Sequence, residues 1–115
     1  LVGYKRVRWI ISYEYEGENP RWLEATCEAV IAAEADPEAY DDYMMEKAGD
    51  CIDGWMTQDI PWTTVEIVRH ETLRQESEFD ESLSVTIMDM DKGKKGTECD
   101  YTWSEEEMRR EAGLD

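Results

Sequence analysis

Positive charge is the scarcest feature of this chain. Twelve Lys and Arg stand against 29 Asp and Glu, which gives a net charge of −17 over 115 residues. A surface so negative repels nucleic acid and anionic membranes, which argues against direct binding to either. The chain also lacks an apolar run long enough to span a bilayer and a signal-peptide pattern at its start. We therefore expect a cytoplasmic protein, without membrane contact, whose charged partners are basic.

Catalytic and metal-binding motifs are missing too. There is no glycine-rich phosphate loop, no nucleophile elbow and no HExxH. The one histidine, His70, falls in a predicted strand, and a catalytic base also needs a nucleophile or a substrate pocket. Asp89–Gly93 is similar to the start of a calcium loop, but Lys94 stands where such a loop requires Gly and Asp100 where it requires Glu. We expect no enzyme activity, no cofactor and no metal.

Cysteine is sparse, with three residues and no CxxC pair. Cys27, Cys51 and Cys99 are widely spaced, and their neighbours are apolar. An odd count in such surroundings predicts reduced, buried thiols in a cytosolic protein.

What the chain does contain is enough apolar material for a core. Apolar residues make up 41% of it, including five Trp and six Tyr, which excludes a disordered acidic tail. The length suits a single domain over residues 1–115.

The segment from Asp36 to Trp55 organises the predicted fold. As one helix, it gathers its apolar residues on one face at the spacing of an amphipathic helix: Tyr40, Met44, Ala48, Cys51, Ile52 and Trp55. Its other faces carry six acids: Glu38, Asp41, Asp42, Glu46, Asp50 and Asp53. Lys47 is its only base. Gly49 and Gly54 weaken the helix, so the sequence leaves open whether the segment is one helix or two.

The remaining patterns predict an α+β fold in the order β-α-α-β-β-β-α. We expect about four strands in a mostly antiparallel sheet, with helices on one face. Alternation or β-branched residues predict strands over Tyr4–Glu16, Trp62–Thr72, Ser82–Met90 and Thr97–Trp103. Asn19-Pro20 predicts the start of another helix, with Leu23, Cys27, Val30 and Ile31 as its inner stripe. A capping box from Ser104 to Glu107 predicts a last helix, which ends before Gly113.

The negative charge is concentrated in the predicted helical layer. Residues 19–58 carry ten acids and two bases, and residues 59–81 carry seven acids and two bases. Glu38, Asp42, Glu46 and Asp50 recur every four residues, which places them about 6 Å apart on one helical stripe. Six carboxylates on this helix give one charge per ~5 Å, against one phosphate per about 3.4 Å of a DNA strand.

In size, expected compactness and charge the chain resembles the small acidic inhibitors of phages and mobile elements, the anti-CRISPR and anti-restriction DNA mimics. The resemblance is one of composition and carries over no functional residue. It implies a binding protein that occupies the basic nucleic-acid-binding surface of a protein partner. The carboxylates that we predict to bind that partner are Glu38, Asp41, Asp42, Glu46, Asp50, Asp53, Glu76, Glu78, Asp80 and Glu81.

Other interpretations stay open at this stage. The acids are equally typical of a solvated helix face or of a halophilic surface. Four aromatic residues outside the main stripes would suit an adaptor or immunity-type protein with an aromatic interface: Tyr4, Trp22, Tyr43 and Trp62. A small enzyme or ligand-binding domain is the third alternative, and the sequence does not determine the oligomeric state.

Overall fold

A computed structural model describes residues 3–114 of the chain. Five strands form one antiparallel sheet, in the spatial order β3-β1-β2-β4-β5. The strands are β1 (Tyr4–Tyr15), β2 (Arg21–Ala32), β3 (Thr64–Glu76), β4 (Ser82–Asp89) and β5 (Lys94–Thr102). The helices are a short 3₁₀ turn (Pro37–Tyr40), α1 (Asp41–Trp55) and α2 (Glu105–Glu111). The α+β class and the antiparallel sheet are confirmed, but the predicted strand number and element order are wrong.

The error lies in the segment that follows Asn19, which is a strand and not a helix. Every second side chain of β2 is fully buried, at Leu23, Ala25, Cys27 and Ala29. The same segment also fits a helical stripe, because its apolar residues satisfy both periods. Pairing decides the outcome, since β2 lies antiparallel to β1 along its whole length, from Tyr15↔Arg21 to Tyr4↔Ala32. Asn19, at φ 60°, belongs to the hairpin loop and does not cap a helix.

The segment 36–55 is helical as predicted. Asp36 caps the 3₁₀ turn, because its carboxylate accepts a 3.0 Å hydrogen bond from the Glu38 amide. The α-helix then runs without a break through Gly49 and Gly54. Trp55 is partly buried. The other five residues of the stripe are buried: Tyr40, Met44, Ala48, Cys51 and Ile52.

The helix packs on one face of the sheet, and its polar contacts fix its position. The Tyr13 hydroxyl donates a 2.6 Å hydrogen bond to the Met45 carbonyl oxygen. The Trp9 indole donates a 3.0 Å bond to the Pro37 carbonyl oxygen. Buried aromatic side chains therefore satisfy their own polar atoms while they hold the backbone of the helical segment in place.

Two of the three cysteines correct the expectation of reduced thiols. Cys51 of α1 and Cys99 of β5 form a disulfide, whereas Cys27 is a free, buried thiol. Burial raises the pKa of Cys27 to about 12, so this thiol is unreactive at neutral pH. Disulfides are rare in the reducing cytosol, and the bond thus counts against the expected cytoplasmic location. Among residues 3–114, no helix has the length and apolar character needed to cross a membrane.

The predicted ends of the smaller elements are partly right. The Ser104 hydroxyl accepts a 3.0 Å hydrogen bond from the Glu107 amide, and Gly113 follows α2 at φ 68°, which confirms both ends of the last helix. The strand β3 begins at Thr64 and continues to Glu76, so it starts and ends later than the predicted Trp62–Thr72. The strand β5 starts earlier than predicted, at Lys94.

Candidate functional site

The outer side of the 3₁₀ turn and α1 is an exposed row of carboxylates, which we call the acidic surface. It consists of Glu38, Asp42, Glu46, Asp50 and Asp53, all of which are exposed to solvent. Within residues 3–114, no Lys, Arg or His side chain forms an ion pair with any of the five. Burial of the apolar stripe fixes this orientation, because the opposite side of an amphipathic helix must then face solvent.

Asp41, the sixth predicted carboxylate of this helix, is not part of the acidic surface. Its Oδ1 lies 2.7 Å from Nε2 of His70 on β3, and its side chain is 21% exposed. The first turn of α1 directs Asp41 sideways, toward the edge of the sheet. Asp41 therefore joins the helix to β3, and it is less accessible to a partner than its neighbours.

Lys47 is the only base of α1, and it does not neutralise the acidic surface. Its ammonium nitrogen lies 5.5 Å from the ring centroid of Tyr43 and 5.2 Å from that of Tyr101. Both rings attract the cation through their π faces. The ammonium group is thereby held beside these two rings.

Carboxylates of α2 extend the acidic surface at the start of α1. Burial raises the pKa of Tyr43, and a hydrogen bond with Glu107 raises it further, as do the charges of Glu107, Glu111 and Glu46. The Tyr43 phenol is thus influenced by carboxylates of both helices, which means that the acids of α2 and those of α1 lie near each other. The sequence prediction missed Glu107 and Glu111. The signal was present in the acidic run Glu105–Glu107 behind the Ser104 cap.

The loop between β3 and β4 contributes less than predicted. Arg6 pairs with Glu76 at 3.3 Å and with Asp80 at 2.8 Å, so two of the four carboxylates predicted there are neutralised. The pKa of Asp80 is lowered by a hydrogen bond from the Ser82 amide and by Arg6. The two that remain, Glu78 and Glu81, are exposed.

Arg8 and Arg69 lie on the sheet face opposite α1, where carboxylates pair with them. Arg8 contacts Glu28 at 3.2 Å and Glu71 at 3.4 Å, and Arg69 contacts Glu71 at 3.4 Å. These side chains surround a depression of about 390 Å³. The two faces therefore differ: the sheet face carries Arg8 and Arg69 in ion pairs, whereas no base of residues 3–114 pairs with the acidic surface.

The surroundings of His70 consist of the Asp41 carboxylate and the Trp9 ring. His70 lies on an edge strand, bound to Asp41, and it does not line any of the three described surface depressions. Within the described part of the chain, no group of three or more His, Cys, Asp or Glu is placed to hold a metal ion.

Three of the four aromatic residues considered for an interface are packed against other rings. Tyr43 lies 4.9 Å from Trp103, Trp62 lies 5.6 Å from Tyr13, and Tyr4 lies 5.6 Å from Phe79, measured between ring centroids. The fourth, Trp22, is 40% exposed. Its indole donates a 3.1 Å hydrogen bond to the Ser12 hydroxyl.

Comparison with protein-family models, with curated protein sequences and with solved structures finds no match. The charge and geometry of the acidic surface are therefore the basis for a functional assignment.

Proposed function

We propose that this protein is a non-catalytic inhibitor that binds the basic nucleic-acid-binding surface of a protein partner. The observation that carries the proposal is the acidic surface itself: five exposed carboxylates without ion-pair partners in residues 3–114, while Arg8 and Arg69 on the opposite sheet face are paired. A groove lined with Lys and Arg that normally holds phosphates offers the complementary charge.

Rigidity supports the proposal. Apart from the Cys51–Cys99 bond, the helix is held on the sheet by its buried apolar stripe and by hydrogen bonds to its backbone from Tyr13 and Tyr101. Carboxylates fixed on such a helix lose little conformational entropy when they bind. Their spacing of about 6 Å along the helix is of the same order as the phosphate spacing of a nucleic-acid strand.

The mechanism would be competitive. The carboxylates would form ion pairs with the Lys and Arg side chains that otherwise contact phosphates, and the partner could then no longer bind nucleic acid. Because the attraction is between exposed charges, affinity should fall steeply as the salt concentration rises. A contact centred on Trp22 and other aromatic residues would respond weakly to salt, so the salt dependence separates the two modes of binding.

A partner in the cytoplasm would be met under reducing conditions, so the fold must hold without the Cys51–Cys99 bond. Nucleic-acid-handling proteins of a bacterial host are met in the cytoplasm, where thiols are kept reduced. The proposal therefore requires the acidic surface to persist when Cys51 and Cys99 are reduced. Circular dichroism of the protein in excess reductant tests this requirement directly.

The test compares two triple charge reversals with equal net charge. Glu38→Lys, Asp42→Lys and Glu46→Lys replace three of the five carboxylates of the acidic surface. In the control, Glu18→Lys, Asp59→Lys and Asp100→Lys change exposed acids elsewhere. Each set changes the charge by +6, from −17 to −11, so any difference between the two variants reflects position and not net charge.

Immobilised wild-type protein and both variants would be incubated with a nuclease-treated bacterial lysate and eluted with rising salt. We expect wild type and the control to retain a nucleic-acid-binding protein that moderate salt releases, and the Glu38/Asp42/Glu46 variant to lose it. Duplex DNA or RNA should then displace the retained protein. Equal retention by all three chains, or retention that nucleic acid does not compete, would refute the proposal. Release only at high salt would indicate an aromatic interface instead.

A further inference from the structure

Strand β3 is a long strand at the edge of the sheet. It has 13 residues, from Thr64 to Glu76, against about five or six in an ordinary strand. At about 3.3 Å per residue it spans roughly 43 Å. It pairs with β1 on one side, and within residues 3–114 no strand pairs with its other side.

The free side of β3 is accessible along its whole length. Not one of its residues is buried, and Val65 and Val68 are 38% and 47% exposed. An unpaired edge presents a row of backbone N–H and C=O groups that can pair with another strand. Exposed β-branched side chains beside that row favour such pairing.

The sequence of β3 is complementary to itself in the antiparallel direction. If two copies pair about a twofold axis at His70, Glu66 of each lies opposite Arg74 of the other. In the same register, Arg69 lies opposite Glu71. Ile67 lies opposite Leu73, and Val68 opposite Thr72. Opposite charges and apolar pairs that face each other directly across two strands stabilise their pairing.

We propose that β3 pairs antiparallel with β3 of a second copy of this chain, which makes one continuous ten-stranded sheet. A twofold contact requires a self-complementary surface, and this register supplies one. Glu66 has no ion-pair partner in the described part of the chain, and the Arg74 side chain is 62% exposed despite its contact with Glu76. The intermolecular pair would use the unpaired Glu66 and the exposed part of the Arg74 guanidinium, which also contacts Glu76 at 2.9 Å.

The surface around β3 carries little net charge, so two copies of this acidic chain can approach each other there. Two chains of −17 repel each other, so they can meet only through a surface with little net charge. The strand carries three acids and two bases, and Arg6 and Arg8 of β1 lie beside it. The acidic surface belongs to the outer side of α1. At the axis, each His70 stays bound to its own Asp41 at 2.7 Å.

Two irregularities in β3 bear on this pairing. The register with β1 shifts twice, so that Val68 and Leu73 have no direct partner in β1. Such bulges protect many natural edges from pairing. Here they leave Arg69–Thr72, the centre of the proposed contact, in regular pairing. The two bulged residues would face Thr72 and Ile67 of the second copy, which are small or apolar.

The dimer would place both acidic surfaces on one side of the joined sheet, because the twofold axis runs perpendicular to the strands and the sheet. Residues directly opposite in an antiparallel pair share a face.

The inference does not depend on the proposed inhibitory function, since dimerisation is measured on the isolated protein. A failure of one therefore leaves the other standing.

The test is a charge swap followed by sedimentation equilibrium at moderate salt. Wild type should approach twice the chain mass of 13.5 kDa at millimolar concentration. Glu66→Arg and Arg74→Glu each place like charges opposite one another at two symmetric positions, so each should weaken dimerisation roughly tenfold or more. Mixing the two variants restores both opposite-charge pairs, and a dimer should reappear. Asp100→Arg, an equal charge change on β5, should dimerise at least as well as wild type.

Circular dichroism of each variant confirms that it is folded, and the rescued mixture is a second check on folding. A wild type that stays monomeric at millimolar concentration would overturn the proposal. So would a dimer that neither Glu66→Arg nor Arg74→Glu weakens, or a mixture of the two that fails to recover it.

Discussion

Repulsion between the carboxylates along α1 should lower the free energy of unfolding by a measurable amount. Removing the charges of Glu46, Asp50 and Asp53 with Glu46→Gln, Asp50→Asn and Asp53→Asn eliminates three like-charge neighbours: Asp42–Glu46, Glu46–Asp50 and Asp50–Asp53. Each such pair destabilises a helix by about 0.2–0.5 kcal/mol. Lys47 does not offset this repulsion, because its ammonium group lies over the Tyr43 and Tyr101 rings.

The helix dipole adds to the effect. The last turn of α1 contains Asp53 and no base, and a negative charge there is unfavourable by about 0.3–1 kcal/mol. The three amide substitutions together should therefore raise the free energy of unfolding by about 1–2 kcal/mol at low salt. For a chain of this size, that corresponds to a rise in Tm of roughly 5 °C.

The assay is urea unfolding, followed by tryptophan fluorescence, at low salt and at molar salt. The gain should shrink at molar salt, where the Debye length is about 3 Å. The control variant carries Glu18→Gln, Asp59→Asn and Asp100→Asn, which gives the same net charge of −14 after three neutralisations from −17. If the control gains as much as the α1 variant, local repulsion on the helix is the wrong explanation. A loss of stability in the α1 variant would refute the reasoning outright.

Three further predictions concern the packing of α1. The Cys51–Cys99 bond closes a separation of 48 residues, for which the chain-entropy model gives a stabilisation of about 4 kcal/mol. The double variant Cys51→Ala, Cys99→Ala should therefore have a free energy of unfolding lower by roughly that amount. A wild-type urea midpoint that reductant does not change would contradict this prediction. Gly49→Ala should stabilise the protein by about 1 kcal/mol, because Ala favours the helix more than Gly does. The added methyl has room, since its nearest neighbour is the Tyr13 hydroxyl at 4.0 Å. A lower Tm would show that the contact with Tyr13 is disturbed. Gly96→Ala should act in the opposite direction by about 1–3 kcal/mol, since its methyl would overlap the Trp55 ring; an unchanged Tm would mean that the ring moves freely.

Segments with one unambiguous period were predictable from the sequence. The strand β4 alternates cleanly, β1 does so except at the buried Ile10 and Ser12, and the stripe of α1 fits a helical period, so local pattern and tertiary burial largely agree. The cap at Asp36 and the cap at Ser104 were also readable, because each depends on one side chain and a nearby backbone amide.

The segment Arg21–Ala32 could not be assigned from its own residues. It carries apolar residues at both strand and helix spacing, and its good helix formers Ala and Glu outnumber its β-branched residues by five to three. What selects the strand is the twelve-residue pairing with β1 and the burial of alternate side chains beneath α1. Tertiary pairing routinely overrides local propensity in this way. The disulfide was hidden for the same reason, since Cys51 and Cys99 meet only after α1 crosses the sheet to β5.

Pairing between charges was the other property that the sequence concealed. Counting acids by segment treats Asp42 and Glu76 alike, whereas the fold leaves the first unpaired and binds the second to Arg6. Within residues 3–114 the outer acids of α1 have no ion-pair partner, whereas Glu28, Glu71 and Glu76 of the sheet are held by arginines. The charge-reversal comparison separates a binding role from a general solvation role. With solvation alone, the two triples should behave alike in every assay, and with a binding role only the α1 triple should lose its partner.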